Sequence, residues 1–249
     1  FAAKRRILSN AATGVLNKDD EVLNNVEFAG KRIWFTLGRP ENDEYGVTHV
    51  EGKNYLSTRD RSYVESDSLS LMGEHNVANA LAALAICGCF IDITKDLVSA
   101  LVSFKGLPHR AEYVCTSKDI IFVNDSKATN IEAARAGINA FLSANGGVLI
   151  AGGVFKGGSM DELIKTISSL AHTVVLIGEA ADEFFRLLSH KMKCVHAKDM
   201  DAAVLAAANS AKKGEVVLLS PACASFDMFQ NYEIRGIAFK EAIKKWEAA

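Results

Sequence analysis

The sequence predicts an α/β fold built on a mostly parallel sheet. Three observations predict it. From Ala111 onward, short apolar runs alternate with stretches of helical length, and repeated βα units of that kind form parallel sheets with helices on both faces. Several of the apolar runs end abruptly in loops rich in Gly, Ser, Thr, Asn and Lys, the composition of ligand-binding turns at the carboxyl ends of parallel strands. The run Lys105-Gly106-Leu107-Pro108-His109-Arg110 holds one of only three prolines, and the pattern changes after it. It divides the chain into residues 1–106 and 107–249.

In the first part, Lys4 to Ser9 reads as a helix end. Thr13 to Leu16 is a short strand, closed by the polar run Asn17 to Asp20. Lys31 to Leu37 and Val47 to Leu56 alternate with the two-residue period of strands, the second turning as a hairpin at Glu51-Gly52-Lys53. Ser68 to Met72 reads as another short strand. Gly73 opens a helix whose Ala80 to Cys87 segment is a dense Ala/Leu face, and a second helix spans about Lys95 to Phe104.

In the second part, strands are expected near 111–116, 120–124, 147–151, 173–177, 194–196 and 215–219. Helices are expected near 131–142, 160–170, 180–189, 199–212 and 228–247. Ser159-x-x-Glu162 has the spacing of a capping box and is expected to start the second of these helices.

The 249 residues are 49% hydrophobic and 23% charged, with a net charge of −2. That is a globular composition with no general affinity for nucleic acid or an anionic membrane. No apolar run reaches the roughly 18 residues of a membrane helix. The five cysteines include no CxxC pair, so reduced core thiols in a cytoplasmic protein are expected rather than zinc ligands. The chain opens at Phe1 without an initiator Met, and a further segment upstream is expected.

Three loops carry the candidate chemistry: Asn124 to Asn130, Ala151 to Gly158, and Ser220 to Asp227. Each follows a predicted strand, so all three point to one edge of the sheet, a shared site for an anionic ligand. In the first, a helix N-terminus at Ile131 offers free N–H groups, Lys127 a positive charge and Asp125 a carboxylate for a metal or a ribose. A well-capped helix with a solvated lysine explains the same residues. The glycine loop is neither GxGxxG nor GxxxxGK[ST], which disfavours a nicotinamide reading. Lys156 on that loop suits a carboxylate, or is an ordinary surface lysine. Asn76 and Asn79, one helical turn apart beside His75, suit a purine edge or a helix cap. His109 and Arg110 lie in the boundary loop, where Arg110 suits a phosphate or a surface ion pair.

Taken together, the stretches GEHNVANALAALAIC (73–87), FKGLPHRAEYV (104–114), FVNDSKATN (122–130), the glycine loop with Lys156 and LLSPACASFDMFQNYEIRG (218–236) resemble the Mur ligases of peptidoglycan synthesis. The branch most resembled adds D-glutamate to UDP-N-acetylmuramoyl-L-alanine. FAAKRRILSNA at the start is similar to the family as well. The resemblance implies the last part of an α/β ATPase domain (1–106) followed by a Rossmann-like, mostly parallel C-terminal domain that binds the amino acid (107–249).

It implies an ATP- and Mg2+-dependent reaction through an acyl phosphate, in a monomeric cytoplasmic enzyme. Lys4 falls on a lysine that holds a metal when carbamylated, and Lys4 and Lys127 on catalytic positions. Asn76, Asn79, His109, Arg110, Asp125 and Lys127 fall on ATP-facing positions. Thr129, Lys156, Ser225, Phe226 and Tyr232 fall on the D-glutamate pocket, with Tyr232 where a Phe is expected. No GxxxxGK[ST] loop occurs in these 249 residues, so this chain alone is expected not to catalyse ligation. The alternatives are another Mur or folylpolyglutamate-type ligase, or a short nucleotide- or amino-acid-binding protein without ligase activity.

Overall fold

The protein is described here from a computed structural model, which covers residues 5–71, 73–144 and 146–249. It forms two compact units, one ending at Lys105 and one running from Gly106 to Ala249.

In the first unit, β1 (Thr13–Asn17) pairs in parallel with β2 (Lys31–Phe35). The short helix α1 (Glu21–Asn24) between them was not expected from the sequence. Asp20 starts it by accepting from the Val22 and Leu23 N–H groups, and four residues are too few to show a helical period. β3 (Gly46–Val50) and β4 (Lys53–Ser57) form the expected hairpin. Its two turn residues, Glu51 and Gly52, both have positive φ, 49° and 81°, the handedness that matches the twist of a two-residue hairpin. A third strand, β5 (Ser62–Glu65), extends this sheet and was also missed.

The strand expected at Ser68 to Met72 does not form. Ser66–Ser68 is a 3-10 turn, and the Ser70 N–H and hydroxyl both donate to the Val102 carbonyl; Met72 lies outside the described residues. The helix expected at Lys4 to Ser9 is, where described, a 3-10 turn over Arg6–Asn10. Helices α2 (Glu74–Gly88) and α3 (Lys95–Ser103) stand as expected. The buried Ala80, Leu81 and Leu84 of α2 pack with Leu56, Leu69 and Ile93 in this unit's core.

The second unit is a three-layer α/β/α sandwich. Its strands are β6 (Glu112–Ser117), β7 (Ile120–Asn124), β8 (Gly147–Gly152), β9 (Thr173–Ile177), β10 (Lys193–His196) and β11 (Val216–Leu219). They lie in the order β10-β9-β8-β11-β7-β6. The first five are parallel, and β6 is antiparallel to β7. Alternate residues of each strand feed opposite faces. Val123, Leu149, Val174 and Leu218 pack against α4 (Ile131–Leu142), α5 (Asp161–Leu170) and α6 (Ala181–Leu188). Phe122, Ile150, Val175 and Val217 pack against α7 (Met200–Ser210) and α8 (Tyr232–Ala248). Nearly continuous burial of β8, β9 and β11 explains why these strands read as unbroken apolar runs.

Two local expectations fail. The capping box does not form: Ser159 Oγ accepts from Asp161 N–H, two residues on, and Glu162 lies 3.5 Å from Arg135 instead. α8 begins at Tyr232 rather than near 228. Residues 225–229 close a separate turn on the Ser225 carbonyl, and Asn231 then caps the helix through Ile234 N–H at 2.8 Å.

Candidate functional site

The crossover from β7 through α4 leads to β8, two positions along the sheet, and β11 later fills the gap between them. The carboxyl ends of β7, β11 and β8 are therefore neighbours. The three candidate loops emerge side by side at this switch in strand order, where open α/β sheets bind ligands. Two of the loops are stitched together directly: Val154 and Ala224 exchange backbone hydrogen bonds of 2.8 and 2.9 Å. Gly153 must be glycine there. Its φ is 123°, and a Cβ would lie 2.2 Å from the Ala224 carbonyl oxygen.

One group of site residues gathers at the end of β7. Asn124 is fully buried, and its amide donates to Glu112 Oε2 (3.1 Å) and the Gly236 carbonyl (3.3 Å) and lies 3.0 Å from His109 Nδ1. Glu112 also accepts from His109 N–H at 2.9 Å and from Lys240 Nζ at 3.0 Å. Burial opposes its ionisation, but these donors hold its carboxyl below the usual range. His109, with φ of 64°, turns the chain in the left-handed region. Burial, with Lys240 adding to it, depresses the His109 imidazole, which favours the neutral ring. A Cβ on Gly236 would meet that ring at 2.1 Å. Lys127 donates its N–H to the His109 carbonyl and holds its ammonium 3.9 Å from the centre of the Tyr232 ring, a cation–π contact. The Tyr232 hydroxyl finds its partner in Glu233, which raises its pKa.

Asp125 is turned inward. It is 8% exposed, and its two oxygens accept from Ala111 N–H (3.1 Å) and Ser220 Oγ (2.9 Å). Burial pushes its pKa up to about 6, against the pull of those bonds and of Arg110. Arg110 itself is exposed.

The second group surrounds an open cleft of about 360 Å³, lined by Thr129, Asn130, Ile131, Glu132, Phe155, Lys156, Gly157 and Ala222. The N-terminus of α4 opens into it, with Asn130 Oδ1 capping Ala133 N–H at 2.9 Å. Lys156 is exposed, 5.9 Å from the ring of Phe226, itself 69% exposed. Ser225 is buried at 2% exposure. Tyr232 stands with Lys127 and His109 and is not among the residues lining the cleft.

Sequence reasoning missed Arg235. This guanidinium is 1% exposed and makes three bonds: Nε to Ser126 Oγ (2.9 Å), Nη2 to the Ser126 carbonyl (2.8 Å) and Nη1 to the Cys223 carbonyl (3.0 Å). It ties the first candidate loop to the third with no carboxylate among its hydrogen-bond partners, and burial brings its pKa down to about 10. The neighbouring Gly236 inside a helix was the available signal, since glycine there points to close packing.

In the first unit, Asn76 and Asn79 lie 3.4 Å apart through Oδ1 and Nδ2. They rim a cavity of about 140 Å³ whose other walls are Leu69, Leu71, Ala80, Ala83, Leu101 and Phe104. Lys4 lies outside the described residues. Among the described residues no cluster of three His, Cys, Asp or Glu side chains is placed to hold a metal, and no helix is long and apolar enough to cross a membrane.

Two family descriptions match the chain: the Mur ligase middle domain over residues 1–87 and the Mur ligase glutamate ligase domain over residues 109–223. The chain is 40% identical over 245 residues to the UDP-N-acetylmuramoylalanine–D-glutamate ligase of Nitrosococcus oceani, covering 98% of this chain and 54% of that protein. The ligase of the same name from Clostridioides difficile is 36% identical over 238 residues, covering 92% of this chain and 51% of that protein. The chain thus spans about half the length of the curated relatives it matches. Among solved structures, a MurF ligase from Thermotoga maritima in complex with ADP has a TM-score of 0.71 at 21% identity, covering 98% of this chain and 57% of that one. A pseudomurein peptide ligase from Methanothermus fervidus has the same TM-score at 18% identity, over 98% of this chain and 59% of that one. From its fold, its strand-end site and these matches to two consecutive domains, the chain belongs to the Mur ligase family.

Proposed function

We propose that this chain supplies the amino-acid site and part of the nucleotide site of an ATP-dependent ligase. The ligase joins D-glutamate to UDP-N-acetylmuramoyl-L-alanine through an acyl phosphate. One observation carries the reading: a cleft in which Lys156, Thr129 and the N-terminus of α4 meet, in a chain 36–40% identical to D-glutamate ligases. Lys156 and the helix end suit two carboxylates, Thr129 a hydrogen bond, and the apolar faces of Phe155 and Phe226 the methylenes between them. The Ser225 segment is the proposed second wall; Tyr232 braces Lys127 outside the cleft.

For ATP, the amides of Asn76 and Asn79 at the rim of an apolar slot suit adenine, a flat heterocycle with donors and acceptors at its edge. Arg110 and Lys127 are the proposed phosphate-side cations. Asp125 and His109 serve that side by fixing the corner from which those cations project. Magnesium, bound with the ATP phosphates, and Lys4 as its ligand if carbamylated belong to the proposal. The proposed enzyme is a monomer.

The test is D-glutamate binding to this chain, followed by amide chemical shifts. D-glutamate is expected to shift residues 129–132 and 156–157, and Lys156→Ala to weaken binding about tenfold, the scale of a charge-assisted hydrogen bond. Shifts elsewhere, or none, would remove the reading. No turnover of ATP and D-glutamate is expected from this chain alone, since it holds no GxxxxGK[ST] loop.

A further inference from the structure

The cleft is lined by a carboxylate as well as a lysine. Glu132, in the first turn of α4, lines it together with Lys156 and Thr129. Its side chain is 82% exposed, and its nearest charged neighbour, Arg135, lies 3.5 Å away. Arg135 is shared with Glu162, also at 3.5 Å, so neither contact is a tight ion pair. The Glu132 carboxylate is thus held only by a long, exposed contact to Arg135, which a ligand's cation can replace. An acidic residue in a first helical turn is favourable to the helix dipole, but that does not account for its place on the wall of a cleft whose other charge is a lysine.

The charges of the cleft are the complement of one kind of molecule. Lys156 is a full positive charge, the N-terminus of α4 a partial one, and Glu132 a negative one. A dicarboxylic amino acid presents two carboxylates and one ammonium. A dicarboxylate without the amine finds the two positive groups but also an unanswered anion, and like charges repel.

Resting on the D-glutamate reading of the cleft, we propose that Glu132 is a specificity-determining residue that receives the substrate's ammonium group. The site thereby selects amino acids over plain dicarboxylic acids. Lys156 holds one carboxylate, the helix end the other, and Glu132 orients the amine.

The test compares D-glutamate with glutarate, which has the same two carboxylates and no amine, on the intact chain by isotope-edited chemical-shift titration. The wild-type chain is expected to prefer D-glutamate, and Glu132→Gln to reduce that preference by roughly threefold or more, the range of a solvent-exposed ion pair. In Glu132→Gln glutarate binding should tighten or hold while D-glutamate binding weakens. Glu162→Gln, which removes the other carboxylate beside Arg135 without touching the cleft, should leave the preference unchanged. An unaltered preference in Glu132→Gln, or equal loss of both ligands, overturns the assignment and leaves the D-glutamate reading standing. Failure of the wild-type chain to bind either ligand overturns both.

Discussion

Asp125 shows how a residue chosen for its chemistry is spent on structure. Its carboxylate sits against Gly137, where a Cβ would lie 2.5 Å from Oδ2, and bonds Ser220 and Ala111. It thereby joins the end of β7 to the loop after β11 and to the boundary corner. Burial raises its pKa from 3.8 to about 6, so the folded protein holds this proton more tightly than the unfolded chain does. The associated stability is therefore complete below the unfolded value and is lost as pH rises through the folded one, up to about 3 kcal/mol in all. Urea unfolding at pH 5 and pH 8 is expected to show about half of this loss, ~1.5 kcal/mol, in the wild type and not in Asp125→Asn. Parallel pH dependence in the two proteins would mean that the carboxyl titrates normally. Local sequence made Asp125 conspicuous, since it stands in a polar run between a strand and a helix. It gave no account of the carboxylate's direction, which is fixed by Ser220, 95 residues away in the chain.

Between elements, Arg235 decides how the strand-end loops meet. It crosses from α8 to Ser126 on one loop and Cys223 on another, so the two loops share one rigid donor fork. Arg235→Leu leaves the Ser126 and Cys223 carbonyls without these donors in a buried site. A loss of about 3 kcal/mol in stability is expected. Hydrogen exchange should accelerate together at residues 125–129 and 222–226. Acceleration confined to one loop would mean that the other is held by its own strand. The elements that were legible are those whose signal is local: the βα alternation, the Glu51-Gly52 hairpin turn, and the polar ends of β7, β8 and β11. The rest depends on partners remote in sequence. β11 enters between β7 and β8, which no periodicity encodes, and in place of the Ser159-x-x-Glu162 box Ser159 Oγ accepts from Asp161 N–H while Glu162 lies 3.5 Å from Arg135. The shared position of the three loops was readable because each follows a strand; the clamp joining them was not, because Arg235 and Ser126 are 109 residues apart.

At the scale of the molecule, the buried clusters respect the division at Lys105. Both large clusters, one on each face of the six-stranded sheet, consist of residues after 106, and the small cluster around Leu81 and Leu84 consists of residues before it. A unit that carries its own core and its own hydrogen-bonded sheet has the means to fold alone. Residues 106–249 are therefore expected to fold when produced separately, with one cooperative thermal transition within a few degrees of the corresponding one in the whole chain. The cleft lined by Thr129, Glu132 and Lys156 lies wholly in that segment, so D-glutamate should shift the same amides in the isolated piece. The first unit, whose buried cluster around Leu81 and Leu84 is the smallest of the three among the described residues, is expected to melt at lower temperature. Loss of the cooperative transition on separation would show that the second unit draws its stability from residues before Gly106. Retention of the transition with loss of D-glutamate binding would show that the amino-acid site needs groups beyond its own sheet edge.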